Sequence, residues 1–100
     1  MKRTVVRYKT RPERTEDNER LISEVFRELA ARGPDDVRYL VLKLDDDTFI
    51  HFVTVEADAG VSSLPALEAF RRFQAEVRER CAEPPRATDA TVVGAYRIFE

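Results

Sequence analysis

One hundred residues, 43% of them hydrophobic and 36% charged, fit one soluble domain (1–100) with a single core. Seventeen basic residues against nineteen acidic ones leave a net charge of -2, with no bias toward nucleic acid or an anionic membrane. Ordinary apolar content and a lone cysteine, Cys81, exclude a disordered chain, a collagen and a disulfide scaffold.

Met1 to Val6 runs straight into a polar segment, so neither a secretory signal nor a membrane span is expected. A single thiol fits a reducing cytoplasm. Arginine outnumbers lysine fourteen to three, the usage of GC-rich bacterial DNA.

Thr4 to Thr10 alternates Val6 and Tyr8 with Val5, Arg7 and Lys9, the period of a half-buried strand that Pro12 ends. Glu13, Glu16, Asp17 and Glu19 then favour the start of a helix, where the backbone dipole attracts negative charge. Its apolar stripe is Leu21, Ile22, Val25, Phe26, Leu29 and Ala30, and Gly33-Pro34 stops it. Val37 to Leu44 and Thr48 to Glu56 read as a hairpin around the turn Asp45-Asp46-Asp47. After a loop at 57–63, Ser62 or Ser63 caps a second helix running through Cys81, with Ala66, Phe70, Phe73, Val77 and Cys81 as its stripe. Glu83-Pro84-Pro85 is expected to end that helix, and Thr91 to Phe99 to form the last strand.

The order is β-α-β-β-α-β, an α+β ferredoxin-like arrangement of a four-stranded antiparallel sheet with two helices on one face. Two helices cover one face only. Yet Leu40, Leu42 and Leu44 line one side of the central hairpin's first strand, and Tyr39 and Val41 the other. Across the turn, Phe49, Val53 and Val55 oppose Ile50 and Phe52. Leaving such a second face in water would forgo several kcal/mol at ~25 cal/mol per Å2. A second copy packed sheet to sheet is the expected cover, with folded-over loops at 57–63 and 83–90 as the alternative.

Val5-Val6-Arg7-Tyr8-Lys9-Thr10 before Pro12, the acidic turn Asp45-Asp46-Asp47-Thr48-Phe49, and Phe70-Arg71-Arg72-Phe73 on the second helix carry a family likeness. With the element order, they make the chain resemble the antibiotic biosynthesis monooxygenase-like proteins of the dimeric α/β-barrel superfamily. The resemblance implies a homodimeric α/β barrel and a ligand cleft between sheet and helices. It also implies cofactor-free oxygenation of an aromatic or polyketide-like ligand, or heme degradation. That family's third strand commonly ends in Glu-x-Trp; Val53 and Val55 stand at those positions here, and the chain has no tryptophan.

His51, the single histidine, shares a strand face with Phe49, Val53 and Val55, which the resemblance places toward the helices and cleft, and is the candidate acid, base or orienting group. The alternative is a neutral core histidine. Arg7, Tyr39, Phe70, Phe73 and Tyr96 are the candidate ligand contacts, with Arg97 a possible partner of Arg7 against a carboxylate or phenolate. Solvated edges and plain packing are the competing readings for the arginines and tyrosines. Cys81 lies at a helix C-terminus, the wrong end of the dipole for an activated thiolate. One histidine, one cysteine and three consecutive aspartates on a tight turn form no zinc or calcium set, so neither metal nor cofactor is expected. An RNA-recognition module lacks its basic-glycine motif here, and an acylphosphatase its phosphate loop. The expected role is therefore binding, and in an enzyme reading oxidising, a small aromatic ligand; the alternative is a ligand-sensing or structural dimer.

Overall fold

The computed structural model describes residues 2–56 and 63–98. Strand β1 (Lys2–Thr10) leads through a 3-10 turn, Pro12–Arg14, into helix α1 (Thr15–Arg32). Strands β2 (Val37–Lys43) and β3 (Thr48–Val55) follow, then a 3-10 turn at Leu64–Ala66, helices α2 (Glu68–Gln74) and α3 (Val77–Arg80), and strand β4 (Cys81–Asp89). The sheet order is β2-β3-β1-β4, antiparallel throughout. This is the ferredoxin-like sheet expected from the element order.

Local chemistry explains the well-anticipated elements. Glu16 and Asp17 occupy the first turn of α1, and Gly33 adopts a left-handed φ of 55° that caps its end, donating its N–H to the Leu29 carbonyl. In the β2–β3 hairpin the Asp46 carboxylate accepts the Thr48 N–H at 3.2 Å, and the Thr48 hydroxyl together with that N–H holds the carboxyl below its usual range. Thr10 and Thr15 share a buried hydroxyl contact of 2.8 Å, tying the end of β1 to the start of α1.

The second half corrects the expectation. The helix through Cys81 breaks at Ala75 and Glu76, where Glu76 takes a left-handed φ of 63°, and β4 begins at Cys81 itself. Ser63 does not cap with its side chain; its N–H and Oγ both donate to the Asp36 carboxylate, which lowers that group's pKa. Ser62 lies outside the described residues. Pro84 and Pro85 do not terminate a helix. They form a bulge in an edge strand, where Lys9 pairs with Glu83 and Arg7 with Arg86. A missing N–H costs least on an edge, and a bulge leaves those residues unpaired. Residues 90–98 carry no regular structure, so the strand expected at Thr91–Phe99 is not found over its described part; Phe99 is outside it.

The core lies between the sheet and the helices and contains Tyr8, Val25, Phe49, Leu64, Leu67, Ala69, Phe70, Phe73 and Cys81. Strand alternation sends Val6, Tyr8, Tyr39, His51 and Val53 to this face. The opposite face keeps Leu40 and Leu42 exposed. Phe49, 1% exposed and stacked on Tyr8 at 5.4 Å, is the tightest apolar member. Replacing it in Phe49→Ala should cost about 3–5 kcal/mol in urea unfolding. Val93→Ala, on a side chain that is 99% exposed, should stay within about 0.5 kcal/mol. Equal effects from the two would contradict this placement of the core.

Candidate functional site

Three neighbouring strands each contribute one polar aromatic side chain to the helix-facing side. Register places His51 on β3 directly opposite Val6 and Val41, so Tyr8 and Tyr39 sit on its diagonals. From there the Tyr8 hydroxyl reaches His51 Nε2 at 2.7 Å, and the Tyr39 hydroxyl reaches Nδ1, also at 2.7 Å. Asn18 of α1 donates Nδ2–H to the Tyr8 oxygen at 2.8 Å. Arg80, the last residue of α3, donates Nε–H to Asn18 Oδ1 at 3.0 Å. Its remaining nitrogens reach the carbonyls of Phe73 at 2.6 Å and Ala75 at 3.3 Å. A continuous chain therefore runs Arg80–Asn18–Tyr8–His51–Tyr39, buried as far as His51 and half-buried at Tyr39.

Simple donor counting gives this chain a direction. A guanidinium has no lone pair to offer, so Asn18 must turn its oxygen to Arg80 and its NH2 to Tyr8. Tyr8 then accepts from Asn18, and among the described residues its own hydrogen has one acceptor, His51 Nε2. The opposite tautomer would strand a donor on a residue that is 2% exposed, a cost of about 1–3 kcal/mol. So the ring proton sits on Nδ1 and is donated to the Tyr39 oxygen. Tyr39 is left with a hydroxyl hydrogen to give.

The same environment keeps the ring neutral. His51 is 3% exposed, and burial drives its pKa from 6.5 down to about 4. A charged imidazolium would need two acceptors where Tyr8 already receives Asn18. Burial also pushes both tyrosine hydroxyls above their usual range, and holds the Cys81 thiol up, matching the expected inert cysteine. Arg80 is 2% exposed and desolvated, which lowers its pKa; its guanidinium also lies 5.3 Å above the Phe73 ring.

A cavity of about 110 Å3 opens beside this chain, lined by Tyr8, Tyr39, His51, Val53, Phe70 and Phe73 among others. Small-molecule pockets usually span roughly 300–1,000 Å3, so this space is smaller, with Phe70 and Phe73 among its walls. Of the candidate contacts, Tyr39, Phe70 and Phe73 meet here with His51. Arg7 does not: it is exposed on the other sheet face, as its odd place beside Tyr8 dictates. Tyr96 is 79% exposed beyond β4 and stacks with Arg97 at 5.0 Å, since the strand meant to carry both is not formed. No group of histidine, cysteine and carboxylate side chains able to hold a metal occurs among the described residues.

Sequence reasoning missed Asn18 and Arg80. Both carry a readable signal, because Asn18 precedes Leu21, Ile22 and Val25 at stripe spacing, and Arg80 follows Phe73 and Val77 likewise. A polar residue on an apolar stripe marks a buried partner.

The fold thus defined is that of ferredoxin-like α+β proteins, and solved structures of that class superimpose well. A provisionally named antibiotic biosynthesis monooxygenase from Bacteroides thetaiotaomicron matches with a TM-score of 0.76 and 17% identity, over 92% of this chain and 89% of that one. Rv0793 from Mycobacterium tuberculosis gives 0.74 and 16%, over 94% and 96%. A further antibiotic biosynthesis monooxygenase gives 0.73 and 14%, over 94% and 100%. The ferredoxin-like fold of the single chain, expected from the element order, is the fold found. No family model matches the chain, and no curated protein does. No helix among the described residues is long and apolar enough to cross a membrane.

A neutral buried histidine has a pH signature. Its folded pKa lies below its unfolded one, so its contribution is complete above about pH 6.5 and falls away toward about pH 4. The loss is about 3 kcal/mol across that window. Glu28, Asp36 and Asp46 are held below their usual carboxylate values, so their losses fall at lower pH. Denaturation at stepped pH should show the wild-type slope between pH 6.5 and 4.5 flattened in His51→Gln; parallel curves for the two would refute the neutral buried state.

Proposed function

We propose that this protein binds a small aromatic ligand, one ring of which enters the cavity beside His51. The observation that carries this is a cavity walled mainly by apolar side chains, with Tyr39 and Gln74 among the described polar residues that line it. Phe70, Phe73 and Val53 would supply the ring contacts. His51 would act as a positioning residue rather than touch the ligand through a free nitrogen, since both its nitrogens are bonded to tyrosines. About 110 Å3 is less than the roughly 150 Å3 of an apolar cavity that takes up benzene, so one ring at most would enter, with some outward movement of the walls. A polycyclic ligand would therefore project beyond the cavity. The names of the structural neighbours favour oxygenation of such a ligand, in line with the resemblance. Titration with benzaldehyde followed by amide NMR should shift Val53, Phe70 and Phe73, and Val53→Phe should weaken binding at least tenfold. Saturating probe that leaves these signals unmoved would overturn the reading.

The outer sheet face supports a second copy as partner, forming the barrel. Leu40, Leu42 and Leu44 are 43%, 49% and 40% exposed there, and cytoplasm-like solubility of a lone sheet with such a face would be poor. Exposed Val93, Tyr96 and Ile98 beyond β4 add apolar surface. Light scattering should give twice the 11.5 kDa chain mass, falling to the single-chain mass in Leu42→Lys. A wild-type monomer at micromolar concentration would remove this partner.

A further inference from the structure

The hairpin ladder leaves one sheet edge open. At its two ends Leu44 donates its N–H to the Thr48 carbonyl at 2.8 Å, and Glu56 donates to the Asp36 carbonyl at 2.7 Å. In the register that pairs Val37 with Val55 and Lys43 with Phe49, these bonds assign the even-numbered positions of β2 to β3. Val37, Tyr39, Val41 and Lys43 therefore aim their backbone N–H and C=O groups away from the sheet. The other edge, β4, is guarded by Pro84, Pro85 and a bulge. Strand β2 has neither device and carries apolar side chains on both faces, the kind of edge that recruits another strand.

We propose that Thr91–Tyr96 of a second copy adds a strand to this edge, exchanged reciprocally between two chains. This rests on the second-copy reading of the outer face and adds which segment crosses between the copies. The segment matches what the edge requires. Residues 90–98 hold no regular structure, and Val93 and Tyr96 are 99% and 79% exposed. Extended, the segment puts Val92, Gly94 and Tyr96 on one face and Val93 and Ala95 on the other, so it too is apolar on both sides. Arg97, with a left-handed φ of 60°, ends it.

On the helix side, α1 and β2 leave two grooves. One of about 300 Å3 lies beside Leu29, Pro34 and Val37, and one of about 370 Å3 beside Ile22 and Val41; Phe26 walls both. An antiparallel register with Gly94 opposite Tyr39 brings Tyr96 to the first groove and Val92 to the second. Gly94 then places no side chain beside the Tyr39 ring, and Val93 continues the face of Leu40. Tyr39 walls both the first groove and the cavity beside His51, so the received strand closes that side of the site.

Topology favours a second copy over the chain's own segment. The Ala90 N–H bond to the Arg3 carbonyl holds the segment at the β4 edge, at the end of the sheet where β2 begins. In the order β2-β3-β1-β4 that is three strand spacings from β2, roughly 14 Å, or about four extended residues. A fold-back would spend most of the segment on the crossing and then run parallel to β2. A two-fold copy supplies the antiparallel direction, and each chain gives one segment and receives one.

The test reads the edge amides and the origin of the segment. Hydrogen exchange at the Tyr39 and Val41 N–H groups should be at least about tenfold slower in the full chain than in one stopped after Ala90. A spin label on Arg97→Cys, in a Cys81→Ala background, is carried by 14N chains refolded with 15N wild type. It should broaden the Val37 and Tyr39 amides of the 15N chains. Either measurement decides alone should the other variant not fold. A light-scattering dimer whose edge amides exchange equally fast in both chains, or whose 15N signals stay sharp, overturns the exchange and leaves the sheet-face dimer standing. Broadening found only within the chain that bears the label would show a fold-back and overturn it likewise. A wild-type monomer overturns both.

Discussion

A buried guanidinium that can only donate sets the polarity of this protein's interior. Arg80 enters the core with no carboxylate against it among the described residues, held by the Phe73 and Ala75 carbonyls and the Asn18 amide oxygen. Placing a cation there without an anion is expensive, and the neutral acceptors that offset the cost must keep one orientation. Their constraint passes to Tyr8, His51 and Tyr39 in turn. The three sheet residues of the chain come from β1, β3 and β2, and the other two from α1 and α3, so the same bonds also fasten helices to sheet.

Burial and direction reinforce one another at His51. Desolvation disfavours the imidazolium, and the donors arriving from Asn18 leave Tyr8 unable to accept from it comfortably. The ring is consequently a neutral conduit between two hydroxyls. Both of its nitrogens are satisfied by tyrosine hydroxyls, one from β1 and one from β2.

Much of the fold was legible because local signals agreed. Gly33-Pro34 ended α1, the aspartate turn joined β2 to β3, and strand alternation put His51 and Tyr39 on one face and Leu40 and Leu42 on the other. The second half was not, because Pro84-Pro85 reads as a helix stop when the position of the strand in the sheet is unknown. On an edge with a bulge, the same prolines are tolerated. The site was half legible. Faces follow from period two, whereas the pairing of Asn18 with Arg80 joins residues 62 apart and depends on how α3 ends. Tyr96 was lost for the converse reason: its apparent strand period has no neighbouring strand to pair with among the described residues.

The direction of the chain can be read from one residue. Because the sequence holds a single histidine, selective 15N labelling gives an unambiguous ring spectrum. Followed from pH 8 to pH 4, it should show a neutral ring protonated at Nδ1, with half-titration at about pH 4. A ring protonated at Nε2, or one that titrates near its ordinary 6.5, would contradict the account.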